Sequence, residues 1–194
     1  KKAVECEIKE WSKKRDEFLI SQKEQHEKVE RKKGKHLELD SEAVRDYCTM
    51  VLSNSQYPAG FPQLYEIQYN PENKILIVDY QMPSKENLPT LKEVSFVVTK
   101  KEFKEKHISN AQLNKLYDRV LYQICLRTIN ELFRADTVEA LDSVVINGYV
   151  HTIDQGTGLE QDVYVLSLQT TREEFLSINL ANVEPRACFK KLKG

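Results

Sequence analysis

The sequence predicts an α+β protein, in which an antiparallel meander of about five strands packs on one long helix and a charged helical arm precedes both. Apolar residues recur at spacings of three and four over residues 110–133, which is typical of a long amphipathic helix. Segments with the alternating pattern of β-strands lie on both sides of this helix in sequence. The first 35 residues are strongly charged and carry a heptad pattern. We therefore expect an arm over residues 1–36 and an α+β module over residues 40–194.

Composition limits the classes of function. The chain has 194 residues and is 40% hydrophobic, which is enough to bury the core of one domain. Its net charge of -1 provides no overall attraction for nucleic acid, although a local basic surface is compatible with it. No apolar run approaches the roughly 18 residues that a membrane span needs, so we predict no membrane partner. Because the chain begins at Lys1 in mid-pattern, we expect it to be a piece of a longer protein.

The four cysteines are far apart and form no CxxC pair. They are Cys6, Cys48, Cys125 and Cys188. This spacing predicts reduced thiols in a cytoplasmic protein. The histidines supply no closely spaced ligand pair, so the sequence predicts no zinc site and no cofactor held by this chain.

Residues 1–35 predict one long helix. Its heptad seam follows alternating steps of four and three and consists of Val4, Ile8, Trp11, Arg15, Phe18, Gln22, Gln25 and Val29. Trp11 and Phe18 are the side chains that would hold a partner helix, so we predict a homo-oligomer formed through the arm. The alternative is a basic arm that follows a phosphate backbone, which the even alternation of Lys and Glu disfavours.

The arm ends in a compact basic cluster, which is the candidate site for contact with nucleic acid. It consists of Arg31, Lys32, Lys33 and Lys35. Gly34 lies inside the cluster, and we expect this glycine to end the helix.

Next come a short helix and a predicted β-hairpin. Asp40 is the expected N-cap of a helix that runs to about Leu52. A loop rich in proline and glycine follows over residues 53–63. Strands are predicted at residues 64–69 and 74–80, joined by a turn that contains Pro71. The apolar run of the second strand predicts burial of both its faces.

The segments on either side of the long helix complete the predicted meander. A third strand is expected at residues 91–98. For residues 99–107 the pattern is ambiguous, but Thr99 and Glu102 have the spacing of a capping box, which indicates a helical turn. After the helix, a strand is predicted at residues 144–153.

That strand contains Asn147-Gly148, which fits either a hairpin turn or a β-bulge. Its partner strand is predicted at residues 162–169. Two short helices should follow, one over residues 171–177 after a capping box of Thr170 and Glu173, and one that starts at Pro185.

One arrangement of residues could carry catalysis. Nucleases of the PD-(D/E)xK type use an Asp on one strand and a Glu-x-Lys on the next, where the carboxylates bind a metal ion and the Lys helps to activate water. Asp79, Glu102 and Lys104 have this order in sequence. The alternative is that Glu102 only caps a helical turn with Thr99. Glu-x-Lys triplets also occur at residues 7–9, 30–32 and 72–74, so the motif is not specific.

Other candidates have simpler structural explanations. Gly156 and Gly158 precede a strand, which favours a hairpin turn over a phosphate-binding loop. His151 is expected to be a surface residue of a strand. Arg119, Arg127 and Arg134 lie on the long helix, where they can either pair with neighbouring acids or bind an anion.

Residues 54–194 resemble the region that precedes the catalytic domain in a group of bacterial Mrr-like restriction endonucleases. The stretches that carry the resemblance are YNPENKILIVDYQMPS, LPTLKEV, QLNKLYDRVLYQICLRTINELFRAD, ALDSVVINGYV with IDQGTG, and EEFLSINLANVEPRACFKKLKG. The resemblance implies a helical N-terminal part, this α+β module and then a PD-(D/E)xK domain that cuts DNA with Mg²⁺.

The resemblance does not extend to the nuclease domain, so it assigns no catalytic residue to this chain. It implies a non-catalytic targeting or assembly module that positions that domain on DNA in restriction or phage defence. The alternative is a purely structural interaction or dimerisation domain that never contacts nucleic acid.

Overall fold

The computed structural model describes residues 2–194; for residues 2–6 and Ile8 it describes the backbone only. The helices are α1 (Lys2–Leu37), α2 (Ser41–Ser53), α3 (Asn110–Ala135), α4 (Arg172–Leu176) and α5 (Pro185–Lys191). The strands are β1 (Tyr65–Asn70), β2 (Ile75–Gln81), β3 (Leu91–Val97), β4 (Glu102–His107), β5 (Ser143–Ile153) and β6 (Glu160–Thr171). The predicted α+β class, with a long N-terminal helix, is confirmed.

The main sheet has four strands in the order β1-β2-β5-β6. β1 and β2 form the predicted antiparallel hairpin, and β5 and β6 form a second one. The two hairpins join through a parallel pairing of β2 with β5, in which Ile75 lies opposite Ser143. The sheet therefore differs from the predicted meander, because a parallel pair needs a crossover connection, and here the crossover contains α3.

β3 and β4 form a separate two-stranded sheet, so the expected helical turn over residues 99–107 is wrong. Glu102 is the first residue of β4 and lies opposite Val97 rather than capping a helix. The rings of Phe96 and Phe103 face each other across the hairpin, with centroids 5.2 Å apart. Cross-strand pairs of this kind stabilise a hairpin and outweigh a local capping signal.

The core lies between α3 and one face of the main sheet. Ile129, Leu132 and Phe133 of α3 are almost fully buried. Along β2, burial alternates, with Leu76 and Val78 buried and their neighbours only partly so. The expectation that both faces of β2 are covered is therefore wrong, because helices cover one face only.

Helix ends follow local chemistry. The Asp40 side chain accepts a hydrogen bond of 3.0 Å from the Ala43 N–H and caps α2 as predicted. Gly34 does not end α1, which continues to Leu37. The left-handed residue after the helix is Leu39, at φ 58°.

The sequence also predicts where α4 and α5 begin. The cap of α4 is Thr171, one residue later than predicted, since its hydroxyl accepts from the Glu174 N–H. Thr170 is instead buried in β6. Pro185 is the first residue of α5, as predicted.

At Asn147-Gly148 the hairpin turn is wrong, because β5 runs straight through both residues. The register with β6 shifts between Gly148 and Tyr149, and the residue left without a partner is Val165, so the bulge lies on β6 opposite this site rather than on β5. A Cβ atom at Gly148 would lie 2.7 Å from the Met82 Cε and 2.9 Å from the Leu166 Cγ. The position therefore requires glycine for space.

A buried ion pair fixes the end of α3 against the sheet. The Asp136 carboxylate accepts hydrogen bonds from the N–H groups of Ala140 and Leu141, at 3.0 and 2.9 Å. It also accepts from the Arg172 guanidinium, which donates in turn to the carbonyl of Leu141 at 2.9 Å and to that of Phe133 at 3.2 Å. One carboxylate therefore holds together α3, the connection to β5 and the start of α4.

We expect Asp136→Ala to lower the free energy of unfolding by about 3–5 kcal/mol, because it leaves the Arg172 charge and two backbone N–H groups without their partner. Urea denaturation followed by circular dichroism measures this. The control is Asp142→Ala, which removes an exposed carboxylate six residues away and should change stability by less than about 0.5 kcal/mol. Equal midpoints for the two variants would contradict the assignment.

Candidate functional site

The three candidate nuclease residues lie on two different sheets. Asp79 is in β2 of the main sheet, whereas Glu102 and Lys104 are in β4 of the separate hairpin. Glu102 and Lys104 are exposed, and the Lys100 ammonium lies 3.9 Å from the Glu102 carboxylate. Glu102 and Lys104 are two residues apart in the same strand and so share one of its faces, but that strand does not pair with the strand of Asp79.

Asp79 belongs to a row of polar side chains across the uncovered face of the sheet. The Asn147 amide donates to the Asp79 carboxylate at 2.9 Å, and the Ser167 hydroxyl donates to the Asn147 carbonyl oxygen at 2.7 Å. Glu66 lies opposite Asp79 on β1. Within the described residues, no group of three or more His, Cys, Asp or Glu side chains could hold a metal ion.

The arm leaves its aromatic residues exposed. Trp11 is 62% exposed and Phe18 is 64% exposed. The C-terminal end of α1 lies on α2, where the Lys32 ammonium is 3.4 Å from the Asp46 carboxylate and the centroids of the His36 and Tyr47 rings are 4.4 Å apart. Val4 and Ile8 of the predicted seam lie outside the described side chains, as does Cys6.

The basic cluster at the end of the arm is exposed in all four of its members. Lys32 is the member that contacts the module, through Asp46. The other three are Arg31, Lys33 and Lys35, whose charges face solvent.

A groove of about 690 Å³ runs along α3, and we call it the α3 groove. Its floor is the outer face of α3, and its walls are the loop between α2 and β1 and the segment before α5. The lining residues are Tyr57, Pro58, Phe61, Arg119, Val120, Gln123, Ile124, Leu126, Arg127, Asn130, Leu180, Ala181, Val183 and Pro185. A second hollow, lined by Arg127, Asn130 and Arg134 among others, continues it along the helix.

Only one of the three α3 arginines forms the predicted pair with an acid. The Arg127 guanidinium bonds to the Glu131 carboxylate at 2.7 Å and to the Gln56 carbonyl at 2.8 Å, and it lies 4.6 Å from the centroid of the Tyr57 ring. Arg134 donates to the Asn130 side chain instead, at 3.1 Å. Arg119 has no ion pair or hydrogen bond with any described residue. The groove therefore carries an excess of positive charge.

Burial keeps a tyrosine hydroxyl of the groove and the described cysteine thiols neutral. Burial raises the pKa of the Tyr57 hydroxyl, so it stays protonated at neutral pH. Burial also raises the pKa of the Cys48 thiol to about 12 and that of the Cys188 thiol above its usual range. The described cysteines are free thiols, Cys48, Cys125 and Cys188, and all three are buried. None of them has the lowered pKa of a reactive nucleophile.

His151 is an exposed strand residue, as expected, but it has a partner. Its Nδ1 atom lies 2.8 Å from the Asp162 carboxylate on β6, and its Nε2 atom lies 3.7 Å from Glu160. The hydrogen bond to Asp162 raises the pKa of the imidazole, and the charges of Asp162 and Glu160 add to this.

Sequence reasoning singled out the groove arginines but missed the groove itself. Its walls come from two segments without a periodic pattern, residues 55–62 and 178–185, which are far apart in sequence. The signal that could have found the first wall is the aromatic pair Tyr57 and Phe61 within a loop, since exposed loops rarely need two aromatic side chains.

Comparisons with the models of known protein families, with curated proteins and with solved structures give no match to this chain. Over residues 2–194, none of the helices combines the length and the apolar character that crossing a membrane requires.

We expect the His151 imidazole to titrate above its ordinary value in NMR spectra recorded across a pH series. Because the pKa is raised in the folded state, the pair stabilises the fold below the unfolded pKa, and this contribution is lost as pH rises through the folded pKa. Asp162→Asn should lower the pKa toward the ordinary value. An Asp162→Asn spectrum with an unmoved His151 pKa would contradict the pairing.

Proposed function

We propose that this chain is a non-catalytic targeting or assembly module of a bacterial Mrr-like restriction or phage-defence endonuclease. In this role it associates with a second copy through the arm and positions a separate nuclease domain on DNA. The observation that carries the proposal is the arm, a helix of 36 residues with Trp11 and Phe18 uncovered. Exposed aromatic side chains at this spacing have little use in a monomer and are typical of an interface.

The absence of a catalytic role is supported by the positions of the candidate acids. A two-carboxylate metal site needs both groups around one ion, and Asp79 and Glu102 belong to strands that do not pair. Under this proposal, Mg²⁺ and the cleavage chemistry belong to the nuclease domain of the parent protein, which would act in the cytoplasm.

DNA is the proposed partner of the α3 groove and of the basic cluster. Arg119 presents an unpaired guanidinium, and arginine binds phosphate oxygens through two parallel hydrogen bonds. The alternative function, a purely structural dimerisation domain, is favoured by the net charge of -1. Salt-dependent binding of duplex DNA separates the two, because phosphate contacts release counterions.

We expect the protein to be a dimer whose mass falls to that of a monomer when Trp11→Ala and Phe18→Ala are combined, because truncation removes the apolar contacts of the seam. Sedimentation equilibrium measures the mass. Ile20→Ala is the matched control, since Ile20 is equally exposed but lies on the opposite side of α1. A monomeric wild type, or a double variant that remains a dimer, would remove the arm as the interface.

We expect labelled duplex DNA, plain or cytosine-methylated, to bind more weakly as salt increases. Arg119→Ala should weaken binding and reduce the slope of log affinity against log salt by about one, the loss of one phosphate contact. Lys101→Ala removes a charge from the turn of the β3–β4 hairpin and should leave the slope unchanged. Absence of binding at low salt would leave the structural alternative.

A further inference from the structure

We propose that two copies of the arm pair antiparallel, with the two-fold axis between Asp16 and Glu17, so that the two α+β modules lie at opposite ends of a rod. This inference rests on the proposed assembly through the arm and adds its orientation and register. A parallel pair of α1 helices and an antiparallel pair would bring different charged residues face to face, and this difference decides between the two orientations.

A parallel, in-register pair brings like charges together at two levels. Arg15 occupies a seam position, so it would lie against the partner's Arg15 inside the interface. Lys28 lies beside the seam. In a parallel pair it faces the partner's Lys33, and the two-fold symmetry creates this Lys–Lys contact twice. Both contacts oppose association.

The antiparallel pair replaces these contacts with attractive ones. With the axis between Asp16 and Glu17, each seam residue faces the partner residue whose number adds to its own to give 33. Arg15 therefore faces the partner's Phe18. In its own chain the Arg15 guanidinium already lies 5.5 Å from the centroid of the Trp11 ring. It would therefore lie between two aromatic rings, where cation–π attraction is favourable.

The flanking positions agree with this register. Glu7 faces the partner's Lys28, and Lys14 faces the partner's Ser21, each twice by symmetry. A shift of one heptad in either direction would place Lys14 opposite either the partner's Lys14 or its Lys28. The register with the axis between Asp16 and Glu17 is the one of the three that avoids a Lys–Lys contact at these positions.

The body of the protein leaves this surface free. From residue 9 to residue 33 every side chain except that of Ser12 is exposed. The contacts of α1 with the module involve Lys32 and residues after it. Antiparallel arms would overlap over nearly this whole length, and Lys33 of the two copies would lie about 50 Å apart at 1.5 Å per residue.

Charge exchange tests the orientation on the full chain, with the dimer dissociation constant measured by sedimentation. Glu7→Lys and Lys28→Glu should each raise the constant about tenfold, because symmetry turns two attractive pairs into repulsive ones. The double variant, which exchanges the two charges, should restore the wild-type constant. A Lys28→Glu protein that dimerises more tightly than wild type would indicate a parallel pair and overturn the proposal.

A distance measurement gives an independent answer. A spin label on Lys33→Cys, in a background with Cys6→Ala, should report a separation near 50 Å between copies, whereas a parallel pair would report less than about 20 Å. The other three cysteines are buried and do not take up the label. A short distance overturns the orientation alone; a protein that is monomeric at every concentration overturns both the orientation and the proposed assembly.

Discussion

The fold depends on how the end of α3 is joined to the sheet. The helix covers one face of the sheet with its second half, and the chain must then turn back at once to place β5 beside β2. Asp136 makes this turn possible, because its carboxylate accepts from two backbone N–H groups of the turn and from Arg172 at the start of α4. A buried carboxylate with this many donors replaces the hydration that it loses. The start of β5 and the end of β6 are thereby both held at the C-terminal end of α3.

The parallel pairing of β2 with β5 determines what is left at the surface. β1 pairs with one edge of β2, and the crossover through α3 brings β5 to the other edge. Both edges of β2 are then occupied, so the residues before α3 cannot add a strand there. β3 and β4 pair with each other instead, and they expose Phe96 and Phe103. This is also why Glu102 and Lys104 lie on a sheet that Asp79 does not share. The topology, rather than any single residue, separates the candidate carboxylates.

Sequence patterns predicted most elements because the elements depend on local signals. The period of the apolar residues predicted α3 to within two residues at its C-terminal end, and Asp40 and Pro185 marked helix starts through capping chemistry that acts over one turn. The β3–β4 hairpin was missed because Thr99 and Glu102 have the spacing of a capping box, whereas the contact of Phe96 with Phe103 is seen only when the two strands lie side by side.

Local sequence patterns could not predict the order of the strands in the sheet or the α3 groove, because both depend on contacts between segments that are distant in sequence. The order depends on a parallel contact between Ile75 and Ser143, and the groove on contact between loops more than 100 residues apart. The arginines of the groove could be seen on the helix, but their pairing could not. Arg127 has an acid one turn away in Glu131, whereas for Arg119 the sequence offers Asp118, which points elsewhere because adjacent helical residues do not face each other.

The arm and the α3 groove have different physical characters, and this difference bears on the proposed function. The arm combines uncovered aromatic side chains with alternating charge, a combination that suits a second helix of the same kind. The α3 groove combines apolar walls with arginines that exceed the acids near them, which suits an anionic partner. Because His36 and Lys32 hold the base of the arm on α2, the direction in which the arm leaves the module is fixed by contacts of the module itself. Association through the arm would then fix the distance between two α3 grooves, so that the spacing of the partner sites becomes a property of the helix length.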